Sequence, residues 1–183
     1  MKIRNFLPLL AMLALAMPAQ AEKADQQKPT NVEANQMAYD DIKQINTFTG
    51  NVVLTRGSLV MHAEKMVVVQ DPAGYQYATL HAPRGGFTTF RQKRDGGADL
   101  WIEAQAADRI EYDGKSEVAK LYSRARIRLL EGQKVTDEVE GDFISYDSKT
   151  EFYTVNNTTS GESKPGAGRI RATIQPRLES RSK

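Results

Sequence analysis

The 183-residue chain contains no cysteine, only two histidines and a single tryptophan. Without cysteine the fold has no disulfide, no thiolate metal site and no lipid-modified N-terminal cysteine. His62 and His81 lie on separate expected strands, and their spacing is not that of a zinc site. The chain also lacks a Gly-x-Ser-x-Gly elbow and a glycine-rich phosphate loop. These absences predict a protein that is not an enzyme, uses no cofactor or metal, and is held together by its sheets.

The long hydrophobic run that would span a membrane is also missing. The longest apolar stretch, residues 6–16, is shorter than the roughly 20 residues that a spanning helix needs. Lys2 and Arg4 precede it, and the small-x-small pattern that ends at Ala21 follows it. A basic start, a short apolar run and small residues at a cleavage site are typical of a secretory signal peptide. We therefore expect residues 1–21 to be removed and the mature protein to be soluble in the periplasm.

No excess of charge of either sign remains after that cleavage. Without Lys2 and Arg4, the remaining 162 residues carry 23 basic and 23 acidic side chains. A neutral chain has no general attraction to nucleic acid, so no nucleic-acid partner is expected. Composition divides the mature chain into a flexible polar lead-in (residues 22–29), one folded domain (residues 30–176) and a disordered basic tail (residues 177–183).

What the chain does contain is alternation with a period of two, which is typical of strands with one buried face. In residues 48–66, Phe48, Val52 and Leu54 share one parity, and a turn at Gly57 reverses the chain. A first strand is expected within residues 30–39. No window has a long helical period. Turn signals recur every 8–12 residues, which predicts an all-β protein with about 12–16 short strands.

A short motif of an apolar residue, any residue, Tyr and Asp occurs three times, which indicates a repeated turn-and-strand unit. The Tyr-Asp pairs are Tyr39-Asp40, Tyr112-Asp113 and Tyr146-Asp147. Aspartates at turns usually accept hydrogen bonds from the local backbone. We therefore expect these carboxylates to cap turns, since nothing about them indicates acid–base chemistry.

Residues 121–129 form the clearest strand, with an apolar face and a face of guanidinium groups. The basic face carries Arg124, Arg126 and Arg128. The following strand could place Glu138 and Glu140 opposite these arginines and so fix the register of the hairpin. The alternative is a docking surface for anionic headgroups or an acidic partner.

Four segments resemble the OstA-like domain family: residues 48–68, residues 107–112, residues 141–146 and the closing Ile174-Gln175-Pro176. The likeness extends over about residues 30–176. It implies a twisted β-jellyroll of antiparallel strands, open like a folded V, with an apolar groove between its sheets. Members of this family take lipopolysaccharide from an inner-membrane extraction complex and pass it along stacked jellyrolls to an outer-membrane translocon, without chemistry of their own.

The resemblance also implies which residues hold the lipid acyl chains. Matching segments place Thr30, Val32, Phe90 and Tyr112 in the groove. The period-two pattern adds six inward residues: Phe48, Val52, Leu54, Ile110, Ile127 and Ile144. The chain departs from the family at Gly114, where members often have an apolar residue, so that contact with lipid is expected to be missing.

Family members stack head to tail, with the N-terminal strand of one copy against the C-terminal strand of the next. Here those strands would be residues 30–34 and residues 169–175. The expected assembly-edge residues are Val32, Ala34, Ile170, Ala172 and Ile174. An exposed edge strand is normally an aggregation hazard, but used deliberately it builds an open filament.

Two other readings of the residues stay open. The first is a β-jellyroll scaffold or adhesion module with a solid core and no lipid. The second is a polysaccharide-processing enzyme on a β-helix, which needs a cluster of inward carboxylates, whereas the acids here lie at turns and outward positions.

Overall fold

The computed structural model describes Asp25, residues 28–97 and residues 99–176, so the predicted signal peptide and basic tail lie outside the described residues. In chain order the strands are β1 (Asn31–Glu33), β2 (Gln36–Asp40), β3 (Ile45–Arg56), β4 (Leu59–Gln70), β5 (Gln76–His81), β6 (Thr88–Lys93), β7 (Leu100–Ala106), β8 (Arg109–Asp113), β9 (Val118–Glu131), β10 (Lys134–Asp147), β11 (Phe152–Asn156) and β12 (Arg171–Ile174). Every pairing among them is antiparallel. The predicted all-β class is confirmed.

All twelve strands belong to one sheet, which folds into two layers because four long strands each take two sets of partners. One half of each long strand (β3, β4, β9 and β10) pairs with β2, β5, β8 or β11, and these half-strands and their partners form layer 1. The other half of each long strand pairs with β1, β6, β7 or β12, and these half-strands and their partners form layer 2. The result is an open, folded sheet whose long strands run from one layer into the other.

Two equivalent bulges bend the long strands where the layers meet. On β3, Gly50 and Asn51 have positive φ angles of 82° and 48°, and on β9, Ser123 and Arg124 have 66° and 45°. The ladders shift register at both places, so each bulged strand has one residue more than its partner. Such bulges sharpen local bending and twist. They are the physical reason why one sheet becomes a V.

The core lies between the two layers and is built from inward side chains of both. Met66, Leu80 and Leu121 of layer 1 are fully buried, as are Ile102 and Ile127 of layer 2. Interdigitation of two apolar faces is the usual way in which packed sheets form a core.

The three Tyr-Asp motifs cap turns, as predicted. Asp40 accepts a hydrogen bond from the backbone N–H of Lys43. Asp113 accepts from the N–H groups of Lys115 and Ser116. Asp147 accepts in the same way from Lys149 and Thr150.

The outer face of layer 2 confirms the predicted pairing of the arginine face. Glu138 and Glu140 lie directly opposite Arg128 and Arg126, and Arg126 Nε is 2.8 Å from Glu140 Oε1. Arg124 lies in the bulge of β9, so its side chain is not in line with those of Arg126 and Arg128. Its guanidinium lies 4.9 Å from the Phe87 ring centroid. These ion pairs fix register more than they add stability, since exposed pairs contribute about 0–1 kcal/mol each.

The N-terminal part of the chain differs from the expectation in two ways. The first strand within residues 30–39 is divided into β1 and β2, because the chain passes from layer 2 to layer 1 opposite the Gly50 bulge, where Asn35 N–H bonds Gly50 O at 3.0 Å. The second concerns Asp25, the one residue within 22–27 that the structure describes. The Asp25 carboxylate is buried and accepts hydrogen bonds from Ser58 N at 2.9 Å, Ser58 Oγ at 2.5 Å and Gln92 Nε2 at 3.3 Å.

Candidate functional site: an apolar groove between the layers

An apolar groove opens between the free ends of the two layers on the side of β1, β3 and β5. We call the turns of residues 71–75, 114–117 and 148–151 the lip of layer 1, and the turns of residues 57–58 and 94–97 the lip of layer 2. The groove has a volume of about 440 Å³. Its apolar lining consists of Val32, Phe48, Leu54, Leu59, Met61, Val68, Ala78 and Tyr112. A pocket of this size and lining falls in the usual range for small-molecule sites.

The groove adjoins a small chamber of about 40 Å³, which extends from the lips, at Arg56, Glu117 and Ser148, into the core. Phe90 and Ile110 line the chamber from opposite layers. The residues that line both spaces, and therefore surround the passage between them, are Arg56, Leu59, Met61, Tyr112 and Glu117. The floor of the groove is thus continuous with the core between the layers.

The structure brings five of the ten sequence-predicted groove residues to the groove wall: Thr30, Val32, Phe48, Leu54 and Tyr112. Phe90 and Ile110 lie at the inner chamber. Val52, Ile127 and Ile144 lie instead in the sealed core, with 2%, 1% and 0% of their surface exposed. Period-two logic finds inward residues correctly, but it does not distinguish the open part of the space between the layers from the closed part.

Sequence reasoning missed four apolar wall residues: Leu59, Met61, Val68 and Ala78. Met61 shares the parity of Leu59 and was detectable on that ground. Val68 has the opposite parity on the same strand, because β4 changes its inward parity where the β3 bulge shifts the register. A period of two applied along the whole of β4 therefore places Val68 on the outer face.

The turn of residues 114–117 in the lip of layer 1 explains why this chain has Gly114 where the family often has an apolar residue. A Cβ at Gly114 would lie 2.4 Å from the Gln76 carbonyl oxygen, so the close approach of β5 excludes a side chain there. Hydrogen bonds from Ser116 and Lys115, which outweigh the opposing effect of burial, hold the pKa of Asp113 below its usual value and fix the turn. Gly114 therefore contributes backbone to the groove rim and no apolar side chain.

On the opposite side, the two lips are joined. Arg94 at the end of β6 forms an ion pair with Glu151, which lies in the turn between β10 and β11. The pair therefore connects layer 2 to layer 1 across the mouth of the V. Ile102, Ile127 and Ile144, on the strands β7, β9 and β10, are buried between the layers.

A half-buried polar cluster lies on the outer face of layer 1 behind the groove. The Arg109 guanidinium lies 3.7 Å from the Tyr122 ring centroid, and its Nε donates to Glu111 Oε1 at 2.7 Å. Burial opposes the charged form of Glu111, but hydrogen bonds from Arg109 and Tyr122 outweigh it, so the pKa of Glu111 is lowered. Burial and then the Glu111 carboxylate raise the pKa of Tyr122.

The two ends of the sheet are open edges. β1 pairs with β3 alone, and β12 pairs with β10 alone, within the part of the chain that the structure describes. Ile170 and Ile174 are 48% and 75% exposed. The strands that the sequence assigned to assembly are therefore present as Asn31–Glu33 and Arg171–Ile174, each with one side unpaired.

Comparison with known proteins decides the family. The profile of the family described as "LptA/(LptD N-terminal domain) LPS transport protein" matches residues 31–152. The chain belongs to this family. It is a family of transport proteins rather than of enzymes, and the OstA-like resemblance is confirmed.

Individual relatives agree with the family assignment. The chain is 30% identical over 142 residues to the lipopolysaccharide export system protein LptA of Escherichia coli K12, covering 78% of this chain and 72% of that protein. It is 29% identical over 155 residues to the LptA of Haemophilus influenzae, covering 84% of this chain and 86% of that protein. The crystal structure of LptH from Pseudomonas aeruginosa superposes with a TM-score of 0.69 at 24% identity, over 83% of this chain and 99% of that one.

The structural likeness to LptH confirms the fold, a twisted and open jellyroll-like sheet. Within the described residues, no helix has the length and hydropathy needed to cross a membrane. The family and the open apolar groove favour lipopolysaccharide transport over the solid-core scaffold.

Proposed function

We propose that this protein carries lipopolysaccharide through the periplasm by holding its acyl chains in the groove between the two layers. The observation that carries the proposal is the groove itself, whose wall joins apolar side chains of β1, β3, β4, β5 and β8 in a protein of the lipopolysaccharide transport family. Transfer of apolar surface from water into such a groove contributes about 25 cal/mol per Å². Burial of acyl chains in the groove would therefore need no chemistry in the protein.

The acyl chains lie along Val32, Phe48, Leu54 and Tyr112 and reach the chamber at Phe90 and Ile110. These residues combine the predictions from sequence with the positions of the side chains on the groove wall. Val52, Ile127 and Ile144 support the wall from behind, because they are sealed in the core.

Binding of lipid A to the mature chain tests the groove with a matched pair of variants on one strand. Val68 lines the groove, whereas the adjacent Val67 has the opposite orientation and pairs with Thr47 and Thr79 on the outer side. Val68→Glu places a charge among the acyl chains and should lower affinity at least tenfold, since a buried unpaired carboxylate costs several kcal/mol. Val67→Glu should leave affinity within about threefold. Equal effects of the two variants would refute the groove.

A bridge between the membranes requires several copies, and the open edges of the sheet supply the joint. Strand directions alternate across layer 2 from β1 to β12, so a second copy placed in the same orientation presents its β1 antiparallel to β12. An exposed strand edge is a ready template for such addition. The edge residues Val32, Ala34, Ile170, Ala172 and Ile174 then meet across the joint.

Charge and apolar pattern select one register for that joint. On the outer face, Arg126, Glu140 and Arg171 form a row of alternating sign that ends at the β12 edge. Glu33 of the next copy opposite Arg171 continues the alternation, and the same register places Val32 beside Ala172. In this arrangement the apolar wall continues from one copy into the next. Chains of such copies reach from an inner-membrane extraction complex to an outer-membrane translocon.

Charge reversal tests the register by sedimentation of the purified mature chain. Glu33→Arg alone, or Arg171→Glu alone, puts like charges directly opposite each other and should weaken self-association. The double variant should restore it towards the wild-type level. If the double variant associates no better than either single variant, this register is wrong. If none of the variants or the wild type associates at any concentration, head-to-tail assembly through these edges is wrong.

A further inference from the structure

Arg56 is a basic residue at the rim of an otherwise apolar site. It is the last residue of β3, at the lip of layer 2, and it lines both the groove and the inner chamber. Its neighbours on the wall include Leu54, Leu59 and Met61. A partly buried guanidinium at the point where a groove for acyl chains meets solvent is an unusual place for a structural arginine, since desolvation of an unpaired charge is unfavourable.

Within the part of the chain that the structure describes, no hydrogen bond or ion pair of this guanidinium is found. Arg56 Nε is buried without a hydrogen-bond partner, and no carboxylate among the described residues lies within ion-pair distance of it. The two acids nearest in the fold are engaged elsewhere. Asp25 accepts hydrogen bonds from Ser58 and Gln92, and Glu117, across the groove, lies 3.5 Å from Lys149 Nζ. A ligand anion would supply the partner that the described residues do not.

We infer that Arg56 binds the phosphate of an acylated sugar headgroup while the acyl chains of the same molecule occupy the groove. The inference rests on the proposed function and adds the group that selects an anionic ligand. Guanidinium binds phosphate through two parallel N–H···O bonds, and such charge-assisted bonds are about twice as strong as neutral ones. The position of Arg56 at the rim matches a headgroup that stays near solvent while its tails are buried.

The discriminating experiment compares two lipids with identical acyl chains, bisphosphorylated lipid A and the same lipid after enzymatic removal of its phosphates. Affinities are measured by calorimetry on the purified mature chain and on Arg56→Gln, Arg56→Lys and Arg84→Gln. Arg84 is exposed in the loop between β5 and β6, away from the groove lining, so Arg84→Gln controls for the loss of one positive charge. Inorganic phosphate alone, without acyl chains, serves as the competitor that separates headgroup recognition from binding of free anions.

Arg56→Gln should weaken binding of bisphosphorylated lipid A about tenfold and leave binding of the dephosphorylated lipid within twofold. Arg56→Lys should retain most of the preference, Arg84→Gln should retain all of it, and millimolar inorganic phosphate should not displace the lipid. An equal loss for both lipids, or no loss for either, overturns the role of Arg56 and leaves the groove intact. Failure of the wild-type chain to bind either lipid overturns the proposed function and this inference together.

Discussion

The N-terminal and C-terminal halves of the sheet have the same architecture, but the first borders an open groove and the second a closed core. Both contain a pair of long strands, β3 with β4 and β9 with β10, and both pairs are bent by a bulge with two successive positive φ angles. The first pair borders the open groove with Phe48, Leu54 and Met61, which are only partly buried, while Val52 and Met66 of the same strands are buried. The second pair encloses a sealed core, where Ile127 and Ile144 are completely covered. The bulge therefore makes the V, but it does not decide whether the V is open.

What differs between the halves is the connection across the mouth. The lip of layer 2 is joined to the lip of layer 1 by the Arg94–Glu151 ion pair on the C-terminal side. On the N-terminal side the strand at the edge, β1, has only three residues, and the Asp25 carboxylate binds the Ser58 turn beside it, at the end of β3. One jellyroll thus offers an accessible site for acyl chains and a rigid part that holds its shape.

The largest expected effect on stability comes from truncating one aliphatic side chain to alanine in each half. Ile127→Ala leaves a cavity in the sealed core and should cost about 2–5 kcal/mol of unfolding free energy. Leu54→Ala removes a side chain that already borders an open groove, so its cost should be clearly smaller, while its effect on lipid binding should be the larger of the two. Urea denaturation and lipid A binding measure both quantities. Equal stability costs would mean that the two halves are packed alike.

Loss of the Asp25 carboxylate should have the next largest effect. Asp25→Ala leaves the Ser58 N–H and the Gln92 amide without their acceptor, which should cost about 1–3 kcal/mol. Hydrogen exchange should rise first at the Ser58 turn, because the Asp25 carboxylate no longer binds it. As a control, Asp71→Ala removes a turn cap on the opposite lip, where Asp71 accepts from the Ala73 and Tyr75 N–H groups. Faster exchange at the Ser58 turn in the Asp71 variant and not in the Asp25 variant would contradict this assignment.

Removing the Arg94–Glu151 pair should change the access of solvent to β11 more than it changes the free energy of unfolding. Arg94→Ala should cost no more than about 1 kcal/mol, as exposed ion pairs do, yet it should increase hydrogen exchange in β11, next to the Glu151 turn. Arg91→Ala removes the Arg91–Glu103 pair, which lies within layer 2, and should not affect β11. If both variants leave β11 exchange unchanged, the Arg94–Glu151 pair does not hold the lips together.

The smallest expected effect is a pH dependence at Glu111, behind the open half. Its pKa is lowered in the folded protein from the ordinary 4.5, so its stabilising contribution is present above that pH and is lost as pH falls through the lowered value. Glu111→Gln should therefore be destabilised relative to wild type at pH 7, and the difference should shrink at pH 3. Urea denaturation at the two pH values measures it. A difference that grows on acidification would contradict the sign.

Local patterns in the sequence predicted the strands, the capped turns and the pairing of Glu138 and Glu140 with the arginine face, because each depends on neighbours along one or two strands. The resemblance to the OstA-like domain predicted the V and the groove, with Phe90 and Tyr112 among its residues. The division between open and sealed regions was not predictable, because it depends on Arg94 and Glu151, which are 57 positions apart. Asp25 was also missed, since a polar segment carries no sign that a single carboxylate in it will be buried.

Site-specific photo-crosslinking tests most directly whether acyl chains lie between the layers. The photoreactive amino acid p-benzoylphenylalanine replaces Phe48 or Tyr112 in the groove, and Trp101 on the outer face, where Arg91 lies 4.4 Å from the Trp101 ring centroid. All three substitutions exchange one aromatic side chain for another, so differences in yield report position. We expect lipopolysaccharide adducts at Phe48 and Tyr112 and few at Trp101. Equal yields at the three positions, or adducts at Trp101 alone, would contradict a lipid path through the groove.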